Sequence, residues 1–266
     1  MTMHKIFFSI ALLMISVCVQ AAGFDQSAWD ALLKKHVVLI RQGQTTQVNY
    51  DGFVRDRAQL KTYLAATSAV PRATFDKWGK PDQLAFLINA YNAWTVELVL
   101  TGYPKIESIK NLGSLLQSAW GKDFIPLLGE TRSLDEIEHE LIRAEKRYQE
   151  PRIHFAVNCA SIGCPALQPE AYTGERLTAQ LNDATRLFLS DRTRNFLEGD
   201  TLKLSSIFKW YRQDFERGWG GFKELSQFLI TYRQALRLSD SDVQRLKSGV
   251  IDIEFTDYDW RLNRTP

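Results

Sequence analysis

Between residues 24 and 39, Trp29, Leu32, Leu33, His36 and Val37 recur at helical spacing, which predicts an amphipathic helix over residues 24–39. Asn49, Tyr50, Asp51 and Gly52 read as a turn, and a second helix is expected over residues 56–67, ending before Pro71. The run 83–101 differs in kind. From Ala85 to Leu100 only Asn89, Asn92, Thr95 and Glu97 interrupt the apolar and aromatic residues, so this helix has almost no wet face and belongs inside a protein core. Two asparagines and a glutamate near its centre would be costly in lipid. Asn89 and Asn92 share one helical face, and because buried amides need partners, the two are expected to hold a neighbouring loop in place.

Ser133, with Glu136 three residues later, has the spacing of a capping box and opens a helix over residues 134–146. Residues 152–158 read as a strand that leaves through a small-residue turn at 159–165. Helical patterning returns over 173–189, 206–215, 222–237 and 240–247. Residues 201–204 suggest a short strand, and 250–255 alternate with period two, as a half-buried strand does. The expected fold is a helix-rich α+β single domain around a small, mostly antiparallel β-sheet, without internal repeats.

The N-terminus changes where that domain begins. Lys5 precedes an apolar core over residues 6–19, and Val19, Gln20 and Ala21 supply a small-residue cleavage pattern, so residues 1–22 are expected to be a cleaved signal peptide. The core is shorter than the roughly 18 to 20 residues of a bilayer span. Residues 23–266 then form the mature domain, periplasmic or secreted, with no stable membrane span. Of 33 basic and 31 acidic residues only Lys5 leaves with the leader, so the mature chain is nearly neutral. That balance offers no electrostatic footprint for nucleic acid or for an anionic membrane.

Export also bears on the cysteines. Cys18 lies in the leader, which leaves Cys159 and Cys164 as the only mature ones, close to His154 and Asn158. Three readings of this cluster stand together. In an oxidising compartment the two sulfurs can form a disulfide, since four residues including Gly163 make a loop able to close. Left free, Cys159 is a candidate nucleophile. With His154, and with His139 or Glu138 as a fourth ligand, the pair also contains zinc-ligand types, although without the paired short spacings of zinc ribbons. In a strand over 152–158, His154 and Asn158 would face away from Cys159, so the base for a thiol is sought elsewhere. His139 is the candidate, with Glu138 beside it and Asp135 one turn earlier. No phosphate-cradling glycine loop, Gly-X-Ser-X-Gly elbow or His-Glu-X-X-His motif occurs, and no cofactor is implied.

Four segments carry a family resemblance: residues 85–93, 134–139, 154–165 and 204–215, with 258–263 as a closing segment. In them the chain resembles the proteins catalogued as domain of unknown function 547. The resemblance marks Asn89, Asn92, Glu138, His139, His154, Cys159 and Cys164 as its polar positions, and it implies a shared site rather than a reaction. The expectation is a thiol-dependent hydrolase or acyl transferase acting on an amide or peptide-like bond. Cys159 is its nucleophile, His139 its base, Glu138 the orienting acid, and Asn92 or Asn89 the oxyanion donor. The alternatives are a non-catalytic binding or scaffold domain with a Cys159–Cys164 disulfide, and a metal-binding protein. The ligand is expected to be a small molecule or a peptide.

Overall fold

The computed structural model describes residues 23–144 and 146–266; the expected leader, residues 1–22, lies outside the described residues. The fold is helix-rich α+β, organised on the apolar helix Lys80–Leu100. Pro81 in its first turn costs no hydrogen bond there, and nearly every residue from Gln83 onward is buried. Among the described residues, no helix is long and apolar enough to cross a membrane.

Among the described residues the strands form three small, mostly antiparallel sheets. Val37–Ile40 pairs antiparallel with Thr45–Val48, and Ile125–Leu127 with Glu130–Arg132. In the third sheet Thr201–Ser205 is central, antiparallel to Phe196–Glu198 and parallel to Asp252–Thr256. The helix expected over 24–39 is Ser27–His36, and at Val37 the chain turns extended because two valines and an isoleucine suit a pleated ribbon. The turn expected at 49–52 is a helix start: Asn49 accepts from the Gly52 N–H at 2.8 Å and caps Tyr50–Arg55.

Residues 152–158 are not a strand. Pro151–Phe155 is a 3-10 turn, with proline in its first turn and the Glu150 carboxylate accepting from the Arg152 N–H at 3.0 Å. The apolar alternation here reflects two cores rather than two faces of a sheet. Ile153, Ala156 and Val157 enter the larger apolar cluster, built on the Lys80–Leu100 helix. Phe155 enters the second cluster, where it packs with Phe188, Phe208, Phe215 and Phe228. This segment therefore stitches the two cores together.

Asn92 makes the stitch. Its Nδ2 donates to the Ala156 carbonyl at 2.9 Å and its Oδ1 accepts from the Asn158 N–H at 2.8 Å. One turn earlier, Asn89 clamps Tyr172 in the same two-way fashion, at 2.7 and 3.0 Å. We predict that Asn92→Ala destabilises the fold by about 2 to 6 kcal/mol, since it orphans two buried backbone groups at about 1 to 3 kcal/mol each. Urea unfolding measures it, and a loss below about 0.5 kcal/mol would mean the clamp does not hold the segment.

Candidate functional site

Three departures from regular structure bring the site together. The first is in the helix opened by Ser133, whose capping box forms as its spacing indicates: Glu136 N–H to Ser133 Oγ at 3.1 Å, Ser133 N–H to Glu136 Oε2 at 2.6 Å. After one α turn, Leu134–Glu136, the helix widens to a π-helix over Ile137–Ile142, closed by the Arg143 N–H on the Glu138 carbonyl at 2.8 Å. Such widened turns recur at functional positions. Here Glu138 is buried and His139 is exposed, as adjacent positions on a helix point apart.

The second is the helix expected over 206–215, which breaks at Tyr211 into Ile207–Trp210 and Arg212–Glu216. The break lets Tyr211 wall a cleft while Asp214 turns into the interior. The third is the Cys159–Cys164 loop. The two sulfurs lie 2.04 Å apart, a bonded distance, with Cα atoms 6.0 Å apart. Other bonds also hold this loop. Arg194 donates to the carbonyls of Ile162, Gly163 and Cys164 at 3.1, 2.7 and 3.0 Å. Asn158 donates to the Pro165 carbonyl at 2.7 Å, and Ser161 bridges to Leu262 of the closing segment. Gly163 admits the Tyr258 ring, whose carbons a β-carbon there would meet at 2.9 Å. The Tyr258 hydroxyl lies 3.0 Å from Cys159 Sγ and 3.2 Å from Cys164 Sγ.

Together these elements enclose a cleft of about 210 Å³. Glu138, His154, Asp135 and Cys159 line it, among the rings of Tyr91, Tyr211, Tyr258, Trp120, Trp210 and Trp260. His154 stacks on Tyr211 with ring centres 4.0 Å apart. Two buried polar atoms of these lining residues have no partner among the described residues: Glu138 Oε1 and His154 Nδ1. Buried polar groups are nearly always bonded, and orphans that border a cleft mark where a ligand's polar groups fit.

His154 is fixed from behind. Its Nε2 lies 2.7 Å from Asp214 Oδ2, and the fully buried Asp214 carboxylate also accepts from Arg143 Nε at 2.6 Å and forms an ion pair with Arg217, whose Nη2 lies 2.6 Å away. Burial alone would raise the Asp214 carboxyl, but the bonds from His154 and Arg143 outweigh it and hold it down at about 2. Burial in turn pushes the His154 imidazole below its ordinary range, against the pull of Asp214. An ionised carboxylate can only accept, so Nε2 carries the proton and donates, and the lone pair sits on Nδ1. The cleft thus holds an imidazole oriented by a carboxylate, with its basic nitrogen unpartnered. Burial, and then the Glu138 carboxylate, hold the Tyr91 and Tyr211 phenols well above their ordinary range; burial does the same to Tyr258.

The structure brings Cys159, Glu138 and His154 of the expected site residues to one cleft and leaves the others outside it. His139 does not line the cleft; its Nδ1 lies 2.5 Å from Arg143 Nη1 on the exposed side. The separation of His154 from Cys159, which follows from a strand, disappears with the strand. Asn89 and Asn92 spend their amides on backbone, and Asn158 on the Cys loop. Among the described residues no group of three or more His, Cys, Asp or Glu side chains is placed to hold a metal ion. Sequence reasoning missed Asp214, which no local spacing links to His154, and assigned no role to Tyr211, Tyr258 or Trp260 although the resemblance covers them.

The molecule is, then, a helix-rich α+β protein whose aromatic cleft is lined by an imidazole held from behind by a carboxylate and by one cysteine of a disulfide. Residues 75–189 match the model of a family described as "Protein of unknown function, DUF547", and the chain resembles that family. The match covers Glu138, His154 and both cysteines but stops short of Asp214, Tyr258 and the other segments that complete the cleft. Comparison with curated proteins and with solved structures finds no match.

Acidification tests the pair. For His154, whose folded pKa lies below the ordinary 6.5, and for Asp214, at about 2 against 3.8, the unfolded chain takes up the proton first. The stability these groups confer is therefore complete at neutral pH and is lost as pH falls, first below 6.5 and then between 3.8 and about 2. Thermal unfolding across that range is expected to show both losses. Asp214→Asn is expected to cost on the order of 3 kcal/mol at neutral pH, as breaking a buried ion pair does. Unchanged stability in that variant would mean that Asp214 does not hold the cluster.

Proposed function

We propose that the protein is an exported thiol-dependent hydrolase or acyl transferase acting on an amide or peptide-like bond, with Cys159 as nucleophile, His154 rather than His139 as base, and Asp214 as the group that orients His154. One observation carries the reading: His154 and Cys159 line the same cleft, and His154 has its Nε2 held by a buried carboxylate and its Nδ1 without a partner among the described residues. A thiol hydrolase needs a thiol, an imidazole to take its proton and a third group to orient the ring.

The bonded sulfurs make this a site that works after reduction. A dithiol donor is oxidised to its own disulfide and returns Cys159 and Cys164 as thiols. Cys159 then gives its proton to His154 Nδ1 and attacks the carbonyl carbon. The tetrahedral adduct collapses as His154 returns the proton to the departing amine, which leaves a thioester on Cys159. Water, its proton taken by His154, releases the acid and restores the thiol; an acceptor amine in its place gives transfer. The Tyr258 hydroxyl, kept protonated by burial, is the donor nearest the sulfur and is suited to the oxyanion. Asn89 and Asn92 are not assigned to the oxyanion, because their amides are bonded to the backbone of Tyr172 and of Ala156 and Asn158.

A second reading rests on the same sulfurs: as a permanent bridge they would make the cleft a binding site without a nucleophile. Hydrolysis of activated amide and thioester substrates, with and without a dithiol, separates the two. In the reduced protein Cys159→Ala and His154→Ala are each expected to lower kcat/KM by about 10³ or more, and His139→Ala by less than about threefold. Absence of turnover in the reduced, folded protein, or equal loss in His139→Ala, would overturn the hydrolase assignment.

A further inference from the structure

The charge and the walls of the cleft point to a class of ligand. Its lining contains two carboxylates, Asp135 and Glu138, and no lysine or arginine. Glu138 is 6% exposed; the Tyr91 and Tyr211 phenols lie beside its carboxylate, and its Oε1 has no hydrogen-bond partner among the described residues. His154 also lines the cleft, and its Nδ1, which carries the lone pair, is a second acceptor without a donor among the described residues. The Arg143 charge, behind Tyr211, is taken up by Asp214, and Arg217 pairs with the same carboxylate.

Around these acceptors stand aromatic faces. Trp260 packs against Trp120, Trp210 and Tyr258 with ring centres 5.9, 5.7 and 4.4 Å apart, and Tyr91 and Tyr211 lie beside Glu138. Rings arranged about a carboxylate attract organic cations through their negative faces. One such contact already exists in the molecule, with Lys110 Nζ 3.4 Å from the centre of the Trp260 ring. Lys110 is exposed and does not line the cleft. A volume of about 210 Å³ is below the roughly 300 to 1,000 Å³ of sites that take a whole drug-sized ligand, so the cleft fits one head group.

We propose that this cleft recognises a substituted ammonium group, held by Glu138 and Asp135 within the cage of Tyr and Trp rings. The inference rests on the cleft being the site of the proposed reaction and narrows its substrates to amides or peptides that carry a cationic group beside the scissile bond. Binding is read without turnover, so the two readings fail separately.

The probes are choline and its neutral carbon isostere 3,3-dimethylbutan-1-ol, titrated into the bridged mature protein by tryptophan fluorescence and calorimetry, with N-acetylglucosamine as a neutral sugar. Choline is expected to bind saturably, at least about tenfold tighter than the isostere, since loss of a desolvated cation–π contact of about 2 kcal/mol has that effect. Glu138→Gln is expected to lower choline affinity about tenfold or more and to leave isostere binding unchanged. Trp260→Leu, on the closing segment, provides an independent variant should Glu138→Gln fail to fold, and it too is expected to weaken choline selectively. Equal binding of choline and isostere, tighter binding of the sugar, or no saturable choline binding overturns the proposal. Hydrolysis without preference for cationic substrates would also overturn it while leaving the hydrolase standing. Choline binding without turnover would support the cage and count against the hydrolase.

Discussion

The buried carboxylate of Asp214 is the contact on which the site depends. It gathers His154, Arg143 and Arg217 and is itself fully buried. A charge in that position is tolerable only because cations and an N–H donor surround it, and removing it would leave two arginines without their partner. Because Asp214 holds one edge of His154, the other edge is left to the cleft. The break at Tyr211 brings Asp214 inward, and the 3-10 turn at Pro151–Phe155 brings His154 to meet it.

Around that contact one short segment enters both apolar cores, as the helix Leu177–Ser190 also does. Ile153 and Val157 belong to one core and Phe155 to the other, while His154 and Cys159 face the cleft. Asn92 fixes the segment to the central helix, and Arg194 with the closing residues fixes the cysteine loop. The loop therefore has supports other than its disulfide. This allows the sulfurs a chemical role without making the local shape depend on their oxidation state.

Much of this was legible in the chain where local rules decide. The helix at Asp240–Lys247 has the bounds that its pattern predicts, and the Ser133 capping box forms as spaced. Asn89 and Asn92 do hold neighbouring backbone, as two amides on an apolar helix must. What local rules could not reach was long-range. The alternation in residues 152–158 imitates a strand because adjacent residues serve two different cores, and Pro151 was the signal against it. The hairpins of three and four residues are too short to leave a period. The helix expected over 134–146 starts at Leu134 as its capping box indicates but ends at Ile142, and its π-helical widening has no sequence period of its own. Asp214 lies sixty residues from His154 on another helix, and only folding pairs them. The resemblance singled out His139 along with Glu138, but neighbouring helical positions diverge, and burial selects Glu138 alone.

Asp214 accepts the Nε2 proton of His154 and so leaves the basic lone pair on Nδ1. Nitrogen-15 NMR of the histidines over a pH titration, with the His154 signal identified by its loss in His154→Gln, measures this most directly. The expected result is the Nε2–H tautomer at neutral pH and a midpoint below the ordinary 6.5. An Nδ1–H tautomer, or a midpoint above that value, would contradict it.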